Sequence, residues 1–194
     1  MKIIKKTALI VILLVLSVYF TKYITNINTN TVLTEQISNV PSNNNNNNID
    51  ISDKFTKAYV SRIIDGDTIE VTIDSKKYKV RFIGIDCPEY TSEIEYYGKE
   101  STEYTNSILS NTYVFLEKDV SETDKYGRLL RYVWLEIPIS NSVDEIKAKM
   151  FNALLVSNGY ASAVTYPPDV KHSLQFNIFA ADARNNNMGL WNKD

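Results

Sequence analysis

The segment Arg81-Phe82-Ile83-Gly84-Ile85-Asp86-Cys87-Pro88-Glu89 combines an apolar strand with charged residues at both ends. Its middle is apolar enough for a buried strand, but an arginine begins it and two carboxylates end it. Charged groups seldom lie beside a buried strand without partners or a function. In strict alternation, Arg81 and Asp86 would face opposite sides of a sheet. Both reach one pocket only if the strand bulges at Gly84 or if Asp86 already lies in a turn.

The end of this segment predicts a fixed set of oxygen atoms. Pro88 favours an extended conformation at Cys87. This gives the Asp86 side chain, the Cys87 carbonyl and the Glu89 side chain a defined arrangement. Hard oxygen ligands of this kind suit Ca²⁺. The structural alternative is a strand that ends in a turn at Pro88, with both acids solvated.

Two shorter motifs place charged residues at turns between predicted strands. Asp65–Thr68 (DGDT) is typical of a hairpin turn, and it adds the Asp67 carboxylate at the mouth of a strand. In Asp124–Arg128 (DKYGR), the glycine turns the chain and Arg128 begins the next strand. The planar guanidinium of an arginine fits two phosphate oxygens. Taken alone, DGDT favours a hairpin turn over a functional site, and a hairpin turn with solvated charges is the structural alternative for DKYGR.

Five residues of these motifs together supply what hydrolysis of a phosphodiester needs. Two acids can hold a cation, a third acid can orient or deprotonate water, and two arginines can take up negative charge. Composition alone does not require this interpretation. The five residues are Asp67, Asp86, Glu89, Arg81 and Arg128.

The rest of the chain predicts a small α+β fold, a closed five-stranded barrel that carries three helices. The first helix covers Tyr97–Leu109. The apolar face of the second contains Ile146, Met150, Ala153 and Leu154, and this helix ends at Gly159; the face of the third contains Leu174, Ile178 and Ala181. We expect Trp134 and Trp191 in the core and His172 on the surface at a helix start. The predicted strands are Lys57–Ile64, Thr68–Ile73, Tyr78–Ile85, Tyr113–Glu117 and Leu129–Leu135.

The first 50 residues differ in composition from the rest. A basic start and an apolar run at residues 8–16 predict that residues 1–25 are a signal peptide or an uncleaved membrane anchor. Residues 26–50 are rich in asparagine and predict a flexible linker, so the folded domain covers residues 51–194. In either case we expect an extracellular domain, secreted or held at the outer face of the cell membrane.

Charge limits how the domain can bind nucleic acid. The net charge of the chain is −2; four lysines and two acids lie in residues 1–50, so the remainder carries 17 basic and 21 acidic residues, a net charge of −4. Any phosphate binding must therefore be local. The single cysteine, Cys87, excludes a disulfide within the chain. Hydrophobic residues make up 44% of the chain, enough for a substantial core.

In order and spacing, the motifs resemble those of the staphylococcal nuclease (thermonuclease) family. The resemblance rests on DGDT, RFIGIDCPE, Tyr97-Gly98-Lys99-Glu100, DKYGR and Gly189-Leu190-Trp191. It covers roughly residues 56–191. It implies a five-stranded OB-type barrel with three helices. It also implies a Ca²⁺-dependent enzyme that cleaves DNA and RNA at the 5′-oxygen side and leaves 3′-phosphates. We expect a monomer, with the membrane as a partner only if the N-terminal segment stays attached.

The resemblance also implies a role for each site residue. Asp67 and Asp86 would be calcium ligands together with the Cys87 backbone carbonyl, and Glu89 would position or deprotonate the attacking water. The phosphate would be held by two arginines and the nucleotide by three further residues. The arginines are Arg81 and Arg128, and the nucleotide-binding residues are Lys125, Tyr126 and Tyr166.

Three departures from the family and two alternative functions remain at this stage. The best-known members carry threonine at the position of Cys87, and a thiol there could bind softer metals or oxidise. The 90–96 loop is acidic, and residues 137–142 are an insertion. A non-catalytic OB-type nucleic-acid-binding module is one alternative. A secreted module stabilised by calcium is the other, although it leaves Arg81 and Arg128 without a use.

Overall fold

A computed structural model describes residues 54–91 and 94–192, and a closed five-stranded barrel lies at its centre. The predictions for the N-terminal segment and linker concern residues 1–50, outside the described residues. The barrel strands are β1 (Phe55–Ile63), β2 (Thr68–Ile73), β3 (Lys76–Phe82), β5 (Tyr113–Glu117) and β6 (Leu129–Trp134).

The barrel closes because alternate residues of its strands are apolar and point inwards. Val60, Val71 and Val80 are completely buried. The strand order is β1-β2-β3-β6-β5, with β5 pairing back onto β1. All pairs are antiparallel except β3 and β6. The turn between β2 and β3 is made by Asp74 and Ser75, both with positive φ, as two-residue hairpin turns favour.

The helices and two short strands lie outside this barrel. Strand β4 (Ile85–Asp86) pairs antiparallel with β7 (Ser162–Ala163). Among the described residues, the structure contains no helix that is both long and apolar enough to cross a membrane. The α+β fold class predicted from the sequence is confirmed. The helices are α1 (Gly98–Leu109), α2 (Val143–Lys149), α3 (Phe151–Ser157) and α4 (Ser173–Asn185), followed by a 3₁₀ turn (Gly189–Trp191).

The second predicted helix is two helices, because the residues between them bind to the barrel. Met150 is extended, with φ −87° and ψ 120°, and bridges to Trp134. Asn152 is fully buried: its Oδ1 accepts from the Val133 N–H at 2.9 Å and its Nδ2 donates to the Ile83 carbonyl at 2.9 Å. This amide ties α3 to β6 and to the chain just after β3.

The predicted apolar face of the third helix is wrong. Leu174 is 68% exposed and Ile178 47% exposed. Helix α4 instead buries the face that carries Phe176 and Phe179, together with Ala180 and Ala183. Both stripes of this helix are apolar, and the one that buries two aromatic rings removes more surface from water.

The sequence-based placement of two aromatic residues also needs correction. Trp134 is buried as predicted, but Trp191 is only partly buried. His172 is buried rather than exposed, with its ring centroid 4.6 Å from that of Tyr132 and 6.1 Å from that of Trp134. His172 lies inside because it packs beside a buried carboxylate, Glu117, 3.5 Å from its Nε2.

Glu117 is the centre of a buried polar cluster at one end of β5. Its carboxylate accepts from Trp134 Nε1 at 2.9 Å and pairs with Lys171 Nζ. The 137–142 insertion helps to cover this cluster: Pro138, Ser140 and Asn141 line a cavity of about 70 Å³ with Glu117. Burial raises the pKa of Glu117, but its interactions with the nearby His172 and with Lys171 outweigh burial and hold the pKa below the ordinary value.

This cluster predicts a loss of stability in acid. A carboxylate with a lowered pKa stabilises the fold above its unfolded pKa of about 4.5, and the contribution is lost as the pH falls through the folded pKa. We expect Glu117→Gln to lower the free energy of unfolding by about 1–3 kcal/mol at neutral pH. Its stability should then fall less steeply in acid than that of the wild type. Urea unfolding followed by tryptophan fluorescence, across acidic and neutral pH, measures both effects.

The matched control is Glu136→Gln, which changes an exposed glutamate 3.8 Å from Lys149. Exposed pairs contribute little, so its effect should stay below about 0.5 kcal/mol. Equal effects of the two substitutions would contradict the role assigned to Glu117.

Candidate active site

The site begins at a sharp turn directly after β3. Gly84 has φ +78°, and a Cβ at this position would lie 2.6 Å from the ring of Phe176. Only glycine fits both constraints. The turn ends β3 at Phe82, three residues before the end of the predicted strand, and redirects the chain into β4. Asp86 thereby returns to the side of Arg81, as the sequence required.

The guanidinium of Arg81 lies between two carboxylates. Its Nη2 is 3.0 Å from Asp67 Oδ2 and 2.7 Å from Asp86 Oδ1. Its Nη1 donates to the carbonyls of Phe82 and Ile85 at 2.8 and 2.9 Å, so the turn itself fixes the orientation of the guanidinium. Three residues that are separate in sequence therefore form one ion-paired unit.

Asp67 is the most deeply buried member of this unit, at 5% exposure. Its Oδ2 accepts from the Cys87 N–H at 2.8 Å, and its Oδ1 accepts from Thr68 Oγ1 at 3.1 Å. Burial raises the pKa of Asp67 to about 7, although the Arg81 charge lowers it. Asp67 is thus a buried carboxylate whose ionised form is only partly compensated by the protein.

These residues fit a hard divalent cation. Asp67 and Asp86 bond to the same nitrogen of Arg81, so the two carboxylates meet at one point, and Cys87, with its backbone carbonyl, directly follows β4. Oxygen donors of this kind suit Ca²⁺. Within residues 54–91 and 94–192, no three His, Cys, Asp or Glu side chains are grouped to hold a metal. The remaining ligands of a bound ion would therefore be water or substrate oxygens.

Cys87 does not offer its thiol to this site. Its side chain is buried against Gly66, where an added Cβ would lie 2.9 Å from Sγ. Burial, reinforced by the charge of Asp67, raises the pKa of the thiol well above its ordinary value. A buried, protonated thiol is a poor metal ligand and slow to oxidise. The structure does not favour the reactive thiol considered from the sequence.

A cleft of about 550 Å³ opens beside Arg81 and brings the second arginine to the same space. Asp124 shapes its far wall: Oδ1 accepts from the N–H groups of Tyr126 and Arg128 at 2.9 Å, and Oδ2 bonds to Arg128 Nε at 2.6 Å. No hydrogen bond from the two Nη atoms of Arg128 to another described residue occurs. Those two groups are therefore available to a ligand.

The predicted nucleotide-binding residues line the same cleft. Tyr126 is 71% exposed and Tyr166 69% exposed, so both rings offer free faces. Lys125 Nζ and the Arg128 guanidinium lie 5.0 and 5.5 Å from the centre of the Tyr126 ring. Cations and aromatic faces are thus combined at one mouth of the barrel.

Glu89 stands apart from this cluster. Its exposed carboxylate accepts from Thr91 Oγ1 at 3.1 Å, and among the described residues it forms no hydrogen bond or ion pair with the other predicted site residues. Its backbone is fixed reciprocally: the Glu89 N–H donates to Glu95 Oε2 and the Glu95 N–H donates to the Glu89 carbonyl, both at 2.9 Å. Gly98 packs against the Glu89 backbone so closely that a Cβ on Gly98 would lie 2.3 Å from the Glu89 carbonyl oxygen.

Three of these supporting residues were not assigned a role from the sequence. A solvated turn charge is the simplest interpretation of Asp124 from the sequence, although an aspartate two residues before a turn amide is a typical Asx-turn signal. Glu95 belongs to the acidic loop that counted as a departure from the family. Asn152 gave no signal, because a buried amide inside an apolar helix pattern cannot be distinguished from a surface residue.

Taken together, these features define an OB-type barrel protein with two arginines at one cleft, the first of which is bound to the carboxylates of Asp67 and Asp86. The family model described as "Staphylococcal nuclease homologue" matches residues 79–193, more than half of the chain. The chain belongs to the staphylococcal nuclease family.

Three similar proteins illustrate this membership. The Thermonuclease of Staphylococcus intermedius is 37% identical over 69% of this chain and 75% of its own length. The Thermonuclease of Staphylococcus hyicus is 37% identical over 68% of this chain and 73% of its own length. The Endonuclease YncB of Bacillus subtilis is 31% identical over 82% of this chain and 70% of its own length.

The environment of Asp67 predicts a gain in stability when its charge is removed. A carboxyl whose pKa rises from 3.8 to about 7 on folding stabilises fully below 3.8, and this contribution is lost as the pH rises through about 7. We expect Asp67→Asn to raise the free energy of unfolding of the calcium-free protein by about 1–3 kcal/mol at pH 8. The gain should shrink towards pH 5. Urea unfolding in EGTA at both pH values measures it.

Asp74→Asn is the matched control, because Asp74 is exposed in the β2–β3 turn and asparagine tolerates its φ of 47°. Its effect should be small at either pH. If Asp67→Asn were less stable than the wild type at pH 8, the stated cost of this buried charge would be wrong.

Proposed function

We propose that this protein is a nuclease that hydrolyses phosphodiester bonds of DNA and RNA, depends on Ca²⁺ and leaves 3′-phosphate ends. The observation that carries the proposal is the single guanidinium of Arg81, bound to both Asp67 and Asp86 at a cleft that Arg128 shares. Membership of the staphylococcal nuclease family supports the reaction class.

The two arginines are proposed to bind the phosphate that is cleaved. Arg81 reaches the cleft from the end of β3 and Arg128 from the residue directly before β6, so both charges lie at the same cleft. Attack by water adds negative charge to the phosphoryl oxygens. Fixed cations favour that transition state over the ground state. Because Asp124 and the turn carbonyls hold the guanidinium groups in place, little reorganisation is needed during the reaction.

Asp67, Asp86 and the Cys87 carbonyl are the groups proposed to hold calcium. When bound, Ca²⁺ would polarise a phosphoryl oxygen and help to neutralise its charge. A cation at this position also compensates Asp67, whose buried charge Arg81 offsets only in part. The weak affinity typical of extracellular calcium sites, with Kd near 10⁻⁴–10⁻³ M, would be sufficient outside the cell.

Glu89 is proposed to take the proton from the attacking water. Its carboxylate is exposed, and its backbone is held by Glu95 on one side and Gly98 on the other. The water oxygen would form a bond to phosphorus while its proton passes to a Glu89 oxygen. The bond from phosphorus to the 5′-oxygen then breaks, the 5′-oxygen takes up a proton from water and leaves as a hydroxyl, and the phosphate stays on the 3′ side.

The exposed faces of Tyr126 and Tyr166 are proposed to stack on bases, with Lys125 pairing with a phosphate. Stacking on aromatic rings tolerates any base, because every base has a π-face. This arrangement explains a proposed substrate range that covers both DNA and RNA. It also favours single-stranded or locally opened substrates, whose bases are free to stack.

We further propose that the domain acts outside the cytoplasm. The proposal depends on the basic and apolar residues 1–25, whose composition suits a signal peptide or a membrane anchor. Mass spectrometry of the N-terminus of the exported protein tests it and distinguishes a cleaved from a retained segment.

Hydrolysis by the full chain tests the proposed activity. With single-stranded or duplex DNA and millimolar Ca²⁺, we expect cleavage that stops in EGTA and gives products that a 3′-phosphatase must treat before polymerase can extend them. Binding without cleavage would support the non-catalytic OB-type module. If calcium raised the melting temperature without binding or cleavage, the calcium-stabilised module would be favoured, in which Arg81 and Arg128 serve only their observed structural partners.

Two substitutions test the assigned roles. Glu89→Gln and Arg128→Ala should each lower kcat by about 10²–10³, because each removes a group aimed at the transition state. Circular dichroism should show an unchanged fold. Arg128→Lys, which keeps the charge and loses the planar fork, should fall between Arg128→Ala and the wild type. Glu103→Gln on the exposed side of α1 is the control for Glu89→Gln.

If Glu89→Gln kept an activity close to that of the wild type, Glu89 could not be the group that accepts the proton. The same result in Arg128→Ala would mean that the second arginine does not contact the phosphate.

A further inference from the structure

A row of lysines leads away from the cleft along β3. Lys77, Lys79 and Arg81 alternate with Tyr78 and Val80, so the three cations project from the same face of the strand. Successive members lie about 6.6–6.8 Å apart along the strand. Lys77 and Lys79 are here called the β3 lysine row. It is continuous with Arg81, which lines the cleft.

The β3 lysine row has more positive charge than its neighbours neutralise. Glu70 of β2 lies directly across from Lys79, but its carboxylate bonds to Lys77 Nζ at 2.9 Å and lies 3.7 Å from Arg62 Nη2. No ion pair of Lys79 with another described residue occurs. Three cations thus surround one acid, and Lys77 and Arg62 remain 68% and 61% exposed.

Another border of the cleft is acidic. Beyond Asp86, the chain continues into the loop that holds the exposed Glu89 and Glu95. Asp124 and Asp169 also line the cleft, but Asp124 is paired with Arg128 Nε at 2.6 Å. A polyanion that leaves the cleft past Glu89 and Glu95 would meet exposed carboxylates.

We propose that the β3 lysine row binds the backbone phosphates of a single-stranded nucleic acid next to the phosphate held by Arg81. The inference rests on the proposed nuclease function and adds a path for the substrate. The overall charge of the domain is negative, so substrate binding needs a local track of this kind. The outer face of the second and third strands is also the surface with which OB-type barrels bind oligonucleotides in general.

A single strand fits this surface better than a duplex does. The row follows one extended strand of the sheet, and its spacing suits successive phosphates of an extended backbone. The exposed rings of Tyr126 and Tyr166 at the other end of the path offer faces to unpaired bases. The β3 lysine row would thus position the chain on one side of the cleaved bond while the rings hold bases at the cleft.

The test compares long and short substrates with variants of single lysines in the full chain. Lys79→Gln should lower kcat/KM for a 30-nucleotide oligothymidylate about threefold at low salt, and Lys77→Gln with Lys79→Gln by more. The slope of log kcat/KM against log salt should become shallower by about 0.7 for each lost phosphate contact. Hydrolysis of a dinucleotide-sized substrate should be unchanged, because it ends before reaching the row.

Lys147→Gln is the matched control, since it removes one exposed lysine charge from α2. An equal loss in Lys147→Gln, or an equal loss on both substrate lengths, would overturn the proposal in favour of a general charge effect.

Fluorescence anisotropy with the same oligonucleotide in EGTA tests binding without hydrolysis. If the double variant bound the oligonucleotide as tightly as the wild type, the proposed role of the β3 lysine row would be wrong even if the protein is an active nuclease. Weaker binding in an inactive chain would support the row and refute only the proposed function.

Discussion

The site depends on one guanidinium whose two terminal nitrogen atoms are both bound by the protein. Arg81 donates to two carbonyls of the turn after β3 and pairs with Asp67 and Asp86. It therefore connects the end of β3, the start of β2 and the short strand β4. Without this cation, two carboxylates would lie together beside the barrel with no compensating charge, and the turn carbonyls would lose their donor. The positions of both acids follow from that single side chain.

This arrangement explains why an acidic domain can hold a strongly charged site. Burial raises the pKa of Asp67, and Arg81 offsets only part of that cost. The fold tolerates the remainder because Thr68 and the Cys87 N–H donate to the same carboxylate. A group kept in an unfavourable ionised state is ready to bind a cation, since the ion relieves a cost that is already present. The ionised Asp67 carboxylate thus lowers the stability of the fold at the same position where it favours the binding of a cation.

The sequence predicted those features that local chemistry determines. The strands of the barrel follow from alternation, and the return of Asp86 towards Arg81 follows from the need for a break near Gly84. The orientation of α4 was not predictable in the same way, because two apolar stripes compete and only the packed barrel selects between them. The buried position of His172 likewise depends on Glu117, which is 55 residues earlier in the chain. The role of Glu89 remains a prediction, since in the described part of the chain its carboxylate forms no hydrogen bond or ion pair with the other site residues.

The distribution of charge around the cleft favours one path for a bound polyanion. The sheet presents cations along β3, whereas the loop that holds Glu89 and Glu95 presents exposed carboxylates, so the sign of the potential differs between these two borders even though the net charge is negative. Long-range attraction of a polyanion by the whole domain is therefore weak, and binding must depend on contacts of a few ångströms with local cations at the surface. A long strand can make more of these short-range contacts than a short one. Such a surface favours long substrates and makes their affinity sensitive to salt.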